Sequence, residues 1–197
     1  MITHLHIASN NKGKQNEFGV ILSPHGIALS FPDAAIPEPE ETEDTFEKNA
    51  ILKARYYGNL AGIPALADDS GLEVPALGGM PGVKSARWLK SFPTPQDAWS
   101  SMAADLAGKS HAARLICALS LYDPIGKTVV TVQGICNGTL VFPPQGPQRF
   151  GFDPIFIMDG QTKTFAELGT VEKNKISPRS KALRTLLDMR PDILYAI

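Results

Sequence analysis

Two adjacent carboxylates, Asp68 and Asp69, follow directly on a short apolar run and constrain the fold of this chain more than any other feature. The run Ile63–Ala67 has the composition of a buried strand, and the residues after the acids are rich in glycine. We therefore predict a strand that ends at the two acids and is followed by a loop. Because ligands of α/β proteins usually bind at the carboxyl ends of the strands, the pattern predicts a site there.

The whole-chain composition is that of an ordinary globular protein. Its 197 residues are 43% hydrophobic and 20% charged, and the net charge of −1 argues against a broad nucleic-acid-binding surface. No apolar run approaches the roughly 20 residues of a membrane-spanning helix, and we see no signal-peptide pattern. Cys117 lies in an apolar run, which favours a buried, reduced thiol. We therefore expect a cytoplasmic protein that binds neither nucleic acid nor membranes.

The segment Ser9–Lys14 lies between a predicted strand, Leu5–Ala8, and a predicted helix. A glycine-containing turn in that place offers backbone N–H groups to an anion, and Lys12 and Lys14 add positive charge. The turn lacks the first glycine and the Ser or Thr of a Walker loop. The residues alone leave it as either a phosphate-binding turn or a solvated basic turn.

An acidic run, Glu38–Asp44, precedes the next predicted helix, which begins near Asp44 because a glutamate three residues later completes a capping-box pattern. On that helix Phe46, Asn49 and Lys53 fall on one face. This face either looks into a cleft or carries the lysine along the edge of the core. The acidic run is either a solvated loop or part of a site.

The second half of the chain predicts further strands at 115–122 and 128–136, with a turn at Asn137–Gly138. A later helix begins at Ser177 and Pro178, because serine is a good N-cap and proline suits the first helical position.

The aromatic segment FGFDPIF lies between these elements and includes Phe150, Gly151, Phe152 and Asp153. Its phenylalanines either stack on a nucleobase or pack in the core.

Taken together, these groups suit a nucleoside polyphosphate bound with a divalent cation, since Mg²⁺ prefers a few carboxylates together with phosphate oxygens. Hydrolysis would need a positioned water, charge neutralisation and a carboxylate base. The four histidines show no zinc-like spacing, and the chain has no GxSxG motif of a serine hydrolase.

Five segments resemble the motifs of the inosine triphosphate pyrophosphatase family and span nearly the whole chain. In order they are SNNKGKQNE, EETEDTFEKNAILKA, ADDSGLEVPALGGMPGVKSAR, FGFDPIF and EKNKISPR. The resemblance implies one nucleoside triphosphate pyrophosphatase domain over residues 1–197, of the α/β class. It implies an elongated central mixed β-sheet flanked by helices, two lobes with the nucleotide cleft between them, and a homodimer.

The same resemblance implies an enzyme that hydrolyses ITP, dITP and XTP to the nucleoside monophosphate and pyrophosphate, with Mg²⁺ as cofactor, and so cleans the nucleotide pool. It makes Asp69 the general base and implies three metal-binding carboxylates, Glu41, Asp68 and Asp69. Triphosphate and sugar would be bound by Ser9, Asn10, Asn11, Lys12, Gly13, Lys14, Lys53 and Ser70. The base would be bound by Phe150, Gly151, Phe152, Asp153, Lys173, Ser177, Pro178 and Arg179, with the two phenylalanines as a sandwich.

Pro178 departs from the family, which usually has a histidine there. Proline lacks the imidazole and the backbone N–H, so we expect weaker discrimination against ATP or GTP. Two other functions stay open: a pyrophosphatase for pyrimidine or methylated nucleotides, and a nucleotide-binding sensor without turnover.

Overall fold

The computed structural model describes residues 2–147 and 151–190 and has an α/β architecture, a mixed six-stranded sheet flanked by helices. The resemblance implied this fold class. The strands are β1 (His4–Ile7), β2 (Ala28–Ser30), β3 (Ala65–Glu73), β4 (Ala112–Asp123), β5 (Thr128–Leu140) and β6 (Phe156–Met158). The α-helices are α1 (Lys12–Leu22), α2 (Phe46–Ala61), α3 (Ser85–Lys90), α4 (Pro95–Asp105), α5 (Phe165–Ile176) and α6 (Pro178–Met189). Short 3₁₀ helices lie at Ser23–His25, Pro75–Leu77, Gly82–Lys84 and Asp153–Ile155.

The strand order in the sheet is β2-β1-β3-β4-β5-β6. Strand β1 is parallel to β2, with His4 opposite Ala28, and parallel to β3, with His6 opposite Ala65. Strand β6 is antiparallel to β5. This mixture of directions makes the sheet a mixed one.

The described residues divide into two compact units. Unit 1 comprises residues 2–69, 117–134 and 179–190, and unit 2 comprises residues 70–116, 135–147 and 151–178. The largest buried side chains of the unit 1 core include Leu5, Ile7, Phe18, Leu22, Leu66, Leu119 and Leu183. Those of unit 2 include Leu72, Trp99, Met102, Leu106, Phe156 and Phe165. Each unit therefore has an apolar core of its own. Cys117 and Cys136 are buried and form no disulfide, as expected for Cys117.

The prediction that a strand ends at the paired acids was wrong, because β3 continues to Glu73. Asp68 and Asp69 instead lie inside the strand, where ion pairs and hydrogen bonds offset the cost of burying them.

The predicted turn at Asn137–Gly138 was also wrong, because β5 continues through both residues. A Cβ at Gly138 would lie 2.2 Å from the carbonyl oxygen of Ile157, so the glycine allows β6 to approach.

The predicted helix starts were close but not all correct. Helix α2 begins one residue later than expected, because the Oγ1 atom of Thr45, rather than a group of Asp44, caps it by accepting from the Lys48 N–H. Helix α1 begins at Lys12, inside the segment predicted as a turn. Helix α6 begins at Pro178, as predicted. Within the part of the chain that is described, no helix is both long and apolar enough to span a bilayer.

Candidate active site

Asp68 and Asp69 point to opposite faces of β3 because they are consecutive residues of a strand. The carboxylate of Asp68 meets residues of α1 and α6, whereas that of Asp69 meets residues of α2. Although they are neighbours in sequence, the two acids therefore belong to two different clusters of unit 1.

The Asp69 cluster is built on the predicted face of α2. Asn49 donates from Nδ2 to Asp69 Oδ2 at 3.1 Å, and Lys53 Nζ lies 3.7 Å from Asp69 Oδ1. The same ammonium lies 2.5 Å from Glu41 Oε1. Phe46, one turn before Asn49, is buried and packs this face inward. The helical spacing thus delivers an amide and an ammonium to one buried carboxylate, as the alignment of these residues on one face predicted.

The environment of Asp69 raises its pKa to about 6. Burial is the largest cause, since it disfavours the charged carboxylate, and the negative charge of Glu41 raises the pKa further. The Lys53 ammonium and the Asn49 hydrogen bond act in the opposite direction. Asp69 is therefore mostly ionised at neutral pH yet a better proton acceptor than an ordinary aspartate.

The Asp68 cluster is a buried ion-pair network. Asp68 Oδ2 lies 2.9 Å from Lys14 Nζ and 3.0 Å from Arg179 Nη2, and Arg179 Nη1 also contacts Glu17. Burial alone would raise the pKa of Asp68, but the charges of Lys14 and Arg179 outweigh it and hold that pKa far below the usual range. The guanidinium also lies over the ring of Phe18. This network ties the first turn of α1 and the start of α6 to β3.

The predicted roles of Asp68 in metal binding and of Arg179 at the edge of the base stay predictions. In this structure both terminal nitrogens of the arginine and the carboxylate of Asp68 take part in the internal network. Glu17, which belonged to a matched motif without a role, is one of its members.

In the segment Ser9–Lys14, several backbone N–H groups already have partners within the protein. Asn11 caps α1, since its Oδ1 accepts from the N–H of Gly13 at 2.9 Å and from that of Lys14 at 3.2 Å. The Asn11 N–H in turn donates to Ser9 Oγ at 3.2 Å. These bonds give the turn a defined shape.

Two charged side chains complete the surroundings of this turn. Glu38 Oε1 accepts from the Asn10 N–H at 3.1 Å, and Lys12 Nζ donates to Gln15 Oε1 at 3.1 Å. An exposed carboxylate thus occupies an N–H group that the sequence suggested for a phosphate. A phosphate that used the Asn10 N–H would have to replace Glu38.

A divalent cation fits the Asp69 cluster through Glu41 and Asp69. The described residues contain no group of three or more His, Cys, Asp or Glu side chains arranged for a metal. However, these two carboxylates share one cation, the Lys53 ammonium. Mg²⁺ needs only one or two protein carboxylates when phosphate oxygens supply other ligands. Asp68 lies apart from this pair, because it points to the other face of β3.

In unit 2, Asp153 and Lys173 form an ion pair with Nζ and Oδ2 2.5 Å apart. The buried Ser177 donates its N–H to the Lys173 carbonyl at 2.8 Å and directly precedes Pro178. Three of the predicted base-binding residues are therefore brought together at the end of α5. Ser70, also assigned to unit 2, is half-buried in β3.

The predicted base sandwich stays a prediction. Phe152 is buried in the unit 2 core and stacks on Trp88, with ring centroids 6.2 Å apart. Phe150 lies outside the described residues. The carbonyl of Gly151 accepts from Trp99 Nε1 at 3.2 Å, which anchors Gly151 to α4. For Phe152, core packing is the role that its contacts support.

Sequence reasoning left Asn49 and Glu17 out of the predicted site. The signal for Asn49 was present, since it lay on the predicted helix face with Lys53, but the face gave no indication of which acid it would meet. Glu17 gave no such signal because its partner, Arg179, is 162 residues away in sequence.

Comparison with known proteins places these clusters in a wider context. A sequence model of the Ham1 family matches residues 5–189. A protein of Rhodospirillum centenum named dITP/XTP pyrophosphatase is 48% identical over 190 residues, which cover 92% of this chain and 91% of that protein. A protein of the same name from Gluconobacter oxydans is 44% identical over 184 residues, covering 92% of this chain and 88% of that protein.

Solved structures give the same result for the fold. The structure of a HAM1 protein from Coxiella burnetii aligns with a TM-score of 0.84 and 33% identity, covering 96% of this chain and 98% of that one. A Mycobacterium abscessus structure described as a nucleoside-triphosphatase and dITP/XTP pyrophosphatase aligns with a TM-score of 0.71 and 36% identity, covering 94% of this chain and 98% of that one.

Proposed function

The chain belongs to the Ham1 family, and we propose that it is a nucleoside triphosphate pyrophosphatase acting on non-standard purine nucleotides. Its substrates would be ITP, dITP and XTP, which it would hydrolyse to the nucleoside monophosphate and pyrophosphate, cleaning the nucleotide pool. The relatives named dITP/XTP pyrophosphatase support this reaction class. The single observation of this chain that carries the proposal is the buried Asp69 between Asn49 and Lys53, with its pKa raised to about 6.

In the proposed reaction Asp69 is the general base. It accepts a proton from a water whose oxygen forms a bond to the α-phosphorus, and the bond from that phosphorus to the bridging oxygen of the β-phosphate breaks. Pyrophosphate leaves with the electron pair. Asn49 keeps the carboxylate oriented by its hydrogen bond, and the Lys53 ammonium supplies positive charge beside the phosphates.

Glu41 and Asp69 are the residues that would hold Mg²⁺. When bound, the ion would neutralise phosphate charge and help to orient the triphosphate. Ser9–Lys14 would add backbone and lysine donors for the same phosphates. Asp68, with Lys14 and Arg179, would keep this turn in place.

Base recognition is proposed for Asp153, Lys173 and Ser177 of unit 2, with Phe150 as a stacking partner. ITP and XTP carry a keto acceptor where ATP carries an amino donor. Hydrogen-bond donors in the base site would therefore bind the keto oxygen of ITP and XTP. With ATP they would leave the amino group of adenine unpaired, which is costly in a desolvated site. The ion pair of Asp153 and Lys173 supports a fixed donor at this position.

We also propose a homodimer that acts in the cytoplasm. The location is supported by the proposed substrate, since the nucleotide pool is cytoplasmic, and by the two buried cysteines, which form no disulfide. Light scattering coupled to size-exclusion chromatography would measure the oligomeric state directly.

The test of the main proposal is pyrophosphate release from ITP, dITP, XTP, GTP and ATP in the presence of Mg²⁺. Asp69→Asn should lower kcat by about 10²- to 10⁴-fold, the range for loss of a general base. Asp44→Asn is the matched control, because Asp44 is an exposed acid that pairs only with Lys48 in the described contacts. Undiminished turnover by Asp69→Asn would refute the assignment of the base.

The same panel separates the alternative functions. Preferred hydrolysis of pyrimidine or methylated nucleotides would favour a different substrate, and tight binding without turnover would favour a sensor. Pro178→His tests base selectivity: we expect the variant to reject ATP and GTP more strongly than the wild type. Equal selectivity in both proteins would contradict a role for this position.

A further inference from the structure

The ammonium of Lys53 lies where the two proposed metal-binding carboxylates meet. Its Nζ atom is 2.5 Å from Glu41 Oε1 and 3.7 Å from Asp69 Oδ1. The lysine side chain is only 11% exposed, so this cation is held inside the protein rather than in solvent. The carboxylates that fit a divalent cation therefore already have one positive charge between them.

The charges decide what happens when a divalent cation arrives alone. Lys53, Glu41 and Asp69 together carry a net charge of about −1 when all three are ionised. A hydrated Mg²⁺ ion that approached would have to displace the ammonium or stay beside it. The first option leaves a buried ammonium without its acceptors, and the second places two cations close together in a poorly solvated site. Both options oppose binding.

A nucleoside triphosphate removes this obstacle, because it brings negative charge of its own. The four-carbon stem of lysine is flexible, and its ammonium can exchange carboxylate partners for phosphate oxygens. Once the ammonium contacts phosphate, Glu41 and Asp69 become available, and phosphate oxygens supply further ligands to the metal.

We infer that Lys53 is an internal cation that makes divalent-metal binding at Glu41 and Asp69 conditional on the nucleotide. The metal and the triphosphate then bind together, and the nucleotide-free protein takes up little metal at this site. The inference rests on the proposed function, since it assumes that the ligand is a polyphosphate.

The test measures metal binding without turnover. Mn²⁺ serves as a paramagnetic probe, and its binding to the nucleotide-free protein is followed by electron paramagnetic resonance and by calorimetry. Lys53→Met should bind Mn²⁺ at least tenfold more tightly than the wild type. Lys48→Met is the matched control on the same helix, because Lys48 is exposed and pairs with Asp44; it should bind like the wild type. Lys53→Met combined with Glu41→Gln should lose the gain.

Two further measurements keep the inference falsifiable if Lys53→Met does not fold. Lys53→Arg retains a cation and should bind Mn²⁺ as weakly as the wild type. A triphosphate analogue with a methylene bridge between the α- and β-phosphorus atoms chelates Mn²⁺ itself, so its effect is compared between the wild type and Glu41→Gln. It should tighten Mn²⁺ binding at least tenfold more in the wild type than in Glu41→Gln. An equal effect of the analogue in the wild type and Glu41→Gln, or equal Mn²⁺ affinity of the nucleotide-free wild type and a folded Lys53→Met, would overturn the inference.

The outcomes also distinguish this inference from the proposed function. A gain of Mn²⁺ affinity in Lys53→Met, with no turnover of any nucleotide by the wild type, would refute the function and leave the internal cation standing. Turnover of ITP by the wild type, without a gain in Lys53→Met, would refute the internal cation alone.

Discussion

Asn49 holds Asp69 to the loop before α2 as well as to the helix itself. Its Nδ2 donates to Asp69 Oδ2 at 3.1 Å, while its Oδ1 accepts from the Glu43 N–H at 3.0 Å. The amide is fully buried. One side chain thus fixes both the orientation of the proposed base and the end of the acidic loop that carries Glu41.

Replacement of this amide should change the pH dependence of activity. In Asn49→Ala the carboxylate of Asp69 loses a hydrogen bond that favours its charged form, so the pKa of Asp69 should rise. We expect a larger loss of kcat/KM at pH 6 than at pH 8, together with a loss of about 1–3 kcal/mol in the free energy of unfolding. Asn59→Ala on the same helix is the control, because it removes an amide that accepts a hydrogen bond from the Tyr122 hydroxyl at 3.1 Å rather than one that contacts Asp69. A pH-independent loss of activity would argue for a purely structural role.

The acid limb of the pH profile of kcat/KM, which reports the enzyme before nucleotide and metal bind, should have a midpoint near the pKa of Asp69, about 6, because the ionised carboxylate is the active form. Glu41→Gln should lower that pKa, since it removes a negative charge that raises it. Carboxyl NMR titration of the metal-free protein would measure the pKa in both proteins. A pKa of Asp69 near 4 in the wild type would contradict the raised value.

The raised pKa of Asp69 also predicts a stability difference. In the unfolded chain the pKa is near 4, so the folded protein binds the proton more tightly, and stability is lost as the pH rises from about 4 through about 6. Asp69→Asn should not lose stability in this way over the same pH range, because asparagine does not titrate. The variant should match the wild type near pH 4 and exceed its free energy of unfolding by about 3 kcal/mol at pH 7.5. Urea unfolding of the metal-free proteins at both pH values measures the difference; a less stable variant at pH 7.5 would contradict the expectation.

The buried network around Asp68 should be sensitive to loss of one cation. Arg179→Met leaves Asp68 and Glu17 without a shared guanidinium, so we expect a loss of about 3–5 kcal/mol in the free energy of unfolding. Arg184→Met, at an exposed position of the same helix, should change stability far less. Urea denaturation at pH 7 is the measurement. Equal effects of the two variants would show that the network contributes little.

Glu38 occupies the Asn10 N–H and should compete with phosphate for it. Glu38→Gln removes the negative charge from this acceptor, so KM for ITP should fall about twofold, the effect of about 0.5 kcal/mol. Glu40→Gln, an exposed acid in the same loop, is the control. An unchanged KM in Glu38→Gln, or the same fall in both variants, would contradict competition at Asn10.

How much of this protein is predictable from its sequence depends on how local each signal is. The face of α2 was predictable because helical spacing alone aligns Asn49 with Lys53. The start of α6 was predictable because proline suits a first helical turn. The resemblance of five motifs implied the α/β sheet and the family.

Other features depend on contacts that no local pattern reveals. The continuation of β3 past Asp69 requires partners from α1, α2 and α6 that compensate two buried charges. The continuity of β5 at Gly138 reflects the approach of β6 rather than a turn. The position of Arg179 in an ion-pair network is decided by residues far away in sequence.

The alternation of Asp68 and Asp69 across β3 limits how the length of this gene segment can change over evolutionary time. A single codon lost or gained in the strand just before the acids would move each carboxylate to the opposite side. Asp68, which pairs with Lys14 and Arg179, would then face α2, and Asp69, the proposed base, would face Arg179. A single substitution near this pair changes the contacts of one side chain, whereas an insertion or deletion there would disrupt both clusters in one step.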